Sequence, residues 1–148
     1  MYEIFKADFI SSQPIYENKP VKIRYMPKVD GFEQSFFHVT TCDYLHNTDR
    51  APDAKRCERI RWVRAFIENY DCNMDLCEEC EGLKVWEEPS KMYQRVHILF
   101  EEERYIVILE KREQYNLLIT AYYCDYNHTL EKLLKRYQRF KNNKTRLA

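Results

Sequence analysis

Glycine is scarce in this chain: only Gly31 and Gly82 occur in 148 residues. A phosphate-cradling loop of the P-loop or dinucleotide kind needs several glycines close together, so nucleotide-dependent kinase, NTPase and dehydrogenase readings lose their structural means. Long apolar runs are missing too. No stretch approaches the roughly 20 apolar residues of a membrane span, and the opening MYEIFKADFI lacks the basic and then apolar pattern of a secretory signal. The expectation is a cytoplasmic chain with no membrane partner. An excess of one charge is absent as well, with 24 basic residues against 24 acidic ones.

That balance hides a segregation. Arg50 to Arg64 holds six basic and two acidic residues, Ala65 to Ser90 holds one against eight, and His128 to Ala148 holds seven against one. Two basic stretches suit a polyanion, and the acidic middle would mark the edge of its binding face. A plainer account is that these are solvated helix faces. The length fits one domain spanning 1–148, with enough apolar residues for a core. Six cysteines are irregularly spaced in a chain that needs no staples, which reads as reduced thiols.

Pro14, Pro20 and Pro27 argue for extended or turning chain at the start, so 1–20 is expected as an extended N-terminal segment. Val21 to Tyr25 alternates as a strand, and the turn signal Val29-Asp30-Gly31 leads to Ser35–Thr41, expected as a strand or a strand running into a helix. Arg50 to Tyr70 is expected as one helix, with Pro52 in its first turn and Cys57, Ile60, Val63, Ile67 and Tyr70 as its apolar stripe. Leu83 to Trp86 reads as a brief strand. Three strands at about Tyr93–Phe100, Arg104–Lys111 and Tyr115–Tyr123 form an antiparallel meander with helix cover. Asn127 would cap a final helix from His128 to Phe140, whose stripe is Leu130, Leu133, Leu134, Tyr137 and Phe140, ahead of a frayed basic tail at 141–148. The class is α+β.

Several constellations could carry chemistry. Cys72, Cys77 and Cys80 have the C-x2-C step of half a zinc site, but a second such step is missing, and free thiols in an acidic loop suit them better. Of the four histidines, His97 reads as a packed strand residue, while His128, at a helix start, needs no role beyond the surface. His38 sits in Phe37-His-Val-Thr40, where strand alternation would put it on one face with Thr40. Strand histidines are mostly structural, so the spacing alone does not make it catalytic. Thr120-Ala-Tyr122 would likewise place two hydroxyls on one face, able to hold a phosphate oxygen, although Thr and Tyr are also ordinary strand formers. A two-residue loop at Glu113-Gln114 would align Lys111 with them, and a longer one Arg112. No Ser-His-Asp or Cys-His order and no marked carboxylate pair stands out.

The order of these pieces resembles phage- and toxin-associated nucleases of the barnase/EndoU/colicin/RelE-like superfamily. The matching stretches are Phe37–Thr40, Arg56–Trp62, Val85–Glu87, Tyr105–Arg112, Leu118–Tyr122 and Lys132-x-x-Lys135-Arg-Tyr137, together spanning roughly 21 to 140. The resemblance implies a helical N-terminal part packed on a four- or five-stranded antiparallel sheet with a C-terminal helix, and a toxin-type endoribonuclease that needs no metal or other cofactor. His38 would match the histidine that acts as base or acid, Arg59 and Arg112 the electrostatic clamps, and Thr120 with Tyr122 the pair that orients the phosphate. Arg56, Arg61, Lys111, Lys132, Lys135, Arg136 and Arg139 would grip the RNA backbone.

Such an enzyme drives the RNA 2′-hydroxyl onto its adjacent phosphate, leaving a 2′,3′-cyclic phosphate and a 5′-hydroxyl end. The expected partners are RNA, transfer or messenger, and an antitoxin or immunity protein. The cysteine-bearing insert from Asp71 to Gly82 departs from the family pattern. Two rival readings stand: a non-catalytic RNA-binding module, in which His38 and Thr120 are dispensable, and a zinc-stabilised interaction protein built on Cys72, Cys77 and Cys80.

Overall fold

The computed structural model describes residues 1–43, 50–72 and 82–147. The first segment is helical where extended chain was expected: α1 spans Tyr2–Phe9 and buries Phe5 and Phe9. The helical spacing of Tyr2, Phe5 and Phe9 lies ahead of the first proline, so the prolines do not reach it. β1 (Ile15–Tyr16) and β2 (Lys19–Lys22) follow as a hairpin. Its two turn residues, Glu17 and Asn18, both have positive φ, 49° and 66°, the requirement of a twist-matched type I′ turn. Asp30 and Gly31 repeat that geometry between the bridged residues Val29 and Phe32.

Ser35 to Thr41 contains no strand before Thr41. α2 spans Gln34–Thr40 despite its β-branched and aromatic residues, because helical winding lets Ser35, Phe36, Val39 and Thr40 bury together. His38 and Thr40 therefore stand about 200° apart around a helix rather than on one strand face. The single helix expected over 50–70 is also divided. β3 (Thr41–Asp43) pairs with β4 (Arg50–Pro52), the buried Asp53 caps α3 (Ala54–Glu58) by accepting from the Arg56 amide at 3.0 Å, and Arg59 separates α3 from α4 (Ile60–Glu68). Pro52 thus precedes the cap instead of occupying a first turn. The stripe itself holds, with Ile60, Val63 and Ile67 buried beside Phe66.

The meander is present: β5 (Lys84–Ser90), β6 (Tyr93–Phe100), β7 (Tyr105–Lys111) and β8 (Asn116–Tyr123) pair antiparallel in sequence. The α+β class stands, and the sheet extends to six strands in the order β1-β2-β8-β7-β6-β5, with β2 and β8 parallel. β5 runs beyond Trp86 through Pro89, which an edge strand tolerates because its outward side carries no ladder. Lys111 bridges Glu17, at the β1–β2 turn, and Glu87 on β5, so one side chain ties together the two edges of a curled sheet.

One face of the sheet packs Val96, Ile98, Tyr105, Val107, Leu109, Leu118 and Ala121 against α1, α2 and α4. The other packs Trp86, Leu99, Ile106 and Ile108 against Leu133 of α5 (Asn127–Leu147), with Leu130, Leu134, Tyr137 and Phe140 around it. The expected stripe docks as expected. The helix continues to Leu147, however, so 141–147 is not a frayed tail. Asn127 opens it, its Oδ1 accepting from Arg104 at 3.0 Å.

Candidate nucleic-acid interface

Along β8, only Asn116 and Leu117 pair with β2, and α2 and α3 pack beside the remaining length of that strand. This edge brings together residues from three separate stretches. The His38 carbonyl accepts from Arg56 Nη1 at 2.6 Å, and Thr120 Oγ1 makes a long 3.5 Å contact to the same oxygen. The Arg56 guanidinium lies 5.7 Å from the Tyr122 ring. Thr120 and Tyr122 face Ile108 and Ile106 across the ladder, so the two share a face as the alternation predicts. The ladder shifts between Ile108 and Leu109, where Ile119 has no opposite number and Thr120 is turned toward α2.

His38 is half-buried in this cluster. Burial and the positive charges of Arg50, Arg24 and Arg56 all push its imidazole below the ordinary histidine value. An imidazole so placed is neutral at pH 7, with a free lone pair to take a proton, while the arginines beside it remain fixed cations. The same burial pushes the Tyr122 phenol up and keeps it protonated.

Arg59 sits beside the cluster rather than within it. Its guanidinium lies 5.0 Å from Trp62 and 4.9 Å from Tyr123, Nη1 donates to the Lys55 carbonyl at 3.0 Å, and Nε is buried without a hydrogen-bond partner. Tyr123 is ringed further by Lys55 at 4.1 Å and Arg104 at 6.0 Å. Below it, the Tyr105 hydroxyl is fully buried against Trp62 and Phe66, with no hydrogen-bond partner.

Arg112 is separated from the cluster. Lys111 pairs with Asn116, and the loop closes through the Arg112 amide donating to the Tyr115 carbonyl at 2.9 Å. That register puts Arg112 on the Thr120 face, but four residues past Ile108 along β7, about 13 Å away. There it pairs with Glu110 at 2.6 Å and stacks 3.9 Å over Tyr93. Lys111 is occupied by its two glutamates on the opposite face. Neither is placed to clamp a phosphate held by His38.

The basic helices do not share one face either, since α4 covers one side of the sheet, α3 lies beside β8 at its edge and α5 covers the other side. Arg61, Lys132, Lys135 and Arg139 are exposed, and Arg139 lies about 18 Å along α5 from Asn127. Arg136, expected to grip the RNA backbone, is bound to the sheet instead. It meets both Glu88 oxygens, at 2.6 and 2.5 Å, and its Nη2 stands 3.2 Å from His97 Nε2. Arginine only donates, so Nε2 accepts and this imidazole is neutral. His97 stacks on Trp86 with ring centres 4.9 Å apart, and burial followed by Arg136 lowers it to about 4, in keeping with a packed strand residue.

Sequence reasoning missed Arg24, Arg50, Lys55, Arg104 and Tyr123. The Arg50–Arg64 charge block contained two of them, but Arg104 follows three glutamates and carries no local signal. Among the described residues no group of three metal-ligating side chains comes together. Cys72 is half-buried, and Cys77, Cys80 and His46 lie outside the described residues. No helix among the described residues is long and apolar enough to cross a membrane. No protein-family model matches the chain, and no curated protein and no solved structure matches it either.

Proposed function

We propose that this chain binds RNA at the edge formed by α2, α3 and β8 and cleaves it through the 2′-hydroxyl. The observation that carries the reading is the edge itself, where Arg56 reaches both the His38 carbonyl and the Tyr122 ring and the half-buried His38 lies in the field of Arg50, Arg24 and Arg56. In the reaction His38 takes the 2′-hydroxyl proton as that oxygen bonds to phosphorus. The phosphorus–O5′ bond breaks, the Tyr122 phenol supplies the proton for the leaving oxygen, and the cyclic phosphate remains. Arg56 and its neighbours stabilise the phosphoryl oxygens, and their planar forks suit two oxygens at once. Arg59 binds the flanking backbone. The resemblance to the barnase/EndoU/colicin/RelE-like nucleases supports a toxin role, in which an antitoxin would cover this edge.

A binding-only module is the second reading, favoured by one observation. Arg112 is committed elsewhere and the Thr120 hydroxyl contacts the His38 backbone, so the catalytic set narrows to His38, Arg56 and Tyr122. Incubation of pure protein with total RNA in excess chelator, followed by end-group analysis, separates the two. Cyclic phosphate and 5′-hydroxyl ends support cleavage, intact RNA with retained binding supports the module, and products formed only with added metal overturn the side-chain mechanism.

A further inference from the structure

The candidate edge continues away from His38 into a run of rings and cations that the cleavage chemistry does not use. Tyr123 has Lys55, Arg59 and Arg104 around its ring at 4.1, 4.9 and 6.0 Å. Lys55 is paired with Asp125 at 2.9 Å, and Glu58 lies 3.5 Å from Arg59. Arg104 differs, because its hydrogen bonds go to neutral acceptors, the Cys124 carbonyl at 2.8 Å and Asn127 Oδ1 at 3.0 Å. Those bonds fix the guanidinium without cancelling its charge, and they place it against the segment that carries Tyr126.

Tyr126 is 66% exposed, among the most exposed large apolar side chains described. Its ring stacks on His128 with centres 5.4 Å apart and planes 19° from parallel. One π face is therefore supported by the imidazole and the other is open to solvent. An open ring beside the Arg104 cation matches the two parts of an unpaired nucleotide, a base with a flat face and a phosphate. Duplex RNA hides its base faces in the stack and has no use for such a platform.

We infer that Arg104 and the Tyr126–His128 stack form a seat for one unpaired nucleotide flanking the His38 site, which makes the substrate single-stranded RNA. The inference rests on the RNA-binding reading above. Base stacking on the open Tyr126 face supplies sequence-tolerant affinity, and Arg104 holds the adjoining phosphate.

The test uses a fluorescein-labelled RNA hexamer with 2′-O-methyl groups, which cannot be cleaved by 2′-hydroxyl attack, and the same hexamer annealed to its complement. Anisotropy titrations compare wild type with Tyr126→Ala and Tyr126→Trp. Tyr126→Ala should raise the Kd for the single strand about tenfold and Tyr126→Trp should restore it to within about twofold, while duplex binding moves by less than about twofold. Unchanged single-strand binding by Tyr126→Ala, or an equal loss on duplex, overturns the seat while leaving the RNA reading intact. A wild-type protein that binds neither probe overturns the RNA reading itself.

Discussion

His38 and His97 are both histidines lowered by burial and by arginine, yet the two sites differ in what the arginine does. At His97 the imidazole is 3% exposed, and Arg136 is held by both oxygens of Glu88, so charge, countercharge and ring form a closed unit between β5, β6 and α5. At His38 the ring is half-buried, and Arg56 spends Nη1 on a neutral carbonyl while stacking near Tyr122. A locked arginine stabilises a fold. One held by neutral acceptors keeps its field for a ligand.

The largest test of this contrast is catalytic. His38→Ala should lower RNA cleavage by about a hundredfold or more, with folding retained and RNA affinity within a few-fold of wild type. His97→Phe keeps the ring against Trp86 and should leave cleavage per folded molecule unchanged. Equal losses in both variants would erase the distinction.

Stability against pH sharpens it. The folded His97 value is depressed to about 4, so its contribution is complete above the unfolded value near 6.5 and is lost as pH falls toward 4, by about 3 kcal/mol in all. His38 acts in the same direction. Urea midpoints of the wild type should fall across that window, and His97→Phe should remove most of the slope. A profile of His97→Phe that parallels the wild type would show that His97 is not the titrating group.

Comparable in size is docking of α5. Leu133→Ala should cost about 2–5 kcal/mol, because Leu133 is buried against the sheet face that carries Trp86 and Ile106. Thermal unfolding measures it, and a change below about 1 kcal/mol would mean that α5 is not a docked layer.

Subtler is the acid limb of cleavage. Arg56→Gln removes one of the charges depressing His38, so the limb should move to higher pH, beyond any loss of rate. A limb that stays in place would dissociate Arg56 from the imidazole. The smallest effect belongs to the outer helix: replacing Lys132, Lys135 and Arg139 with glutamine should weaken RNA binding only a few-fold at low salt, and an effect above about tenfold would put α5 in the interface.

Meander and α5 stripe were legible because each depends on local period: alternation over Tyr93–Phe100 and the three-to-four spacing from Leu130 to Phe140. α1 and α2 were not. Their residues are as compatible with extended chain as with helix, and the choice is made by burial of Phe5, Phe9, Phe36 and Val39 in a common core. Of the candidate site, Thr120 and Tyr122 shared a face as expected. The pairing of His38 with Thr40 failed with the strand that carried it.

The sequence by itself determined the α+β class, the three-stranded meander, the docked C-terminal stripe and the charge blocks, all of which follow from patterns within about 20 residues of chain. Only the tertiary structure decided that Arg56 reaches both the His38 backbone carbonyl and the Tyr122 ring while Arg112 and Arg136 are taken up by Glu110 and Glu88. The reason is physical: an arginine's field is set by the group its fork reaches, and that group comes from another strand or helix, placed by packing that no local period encodes.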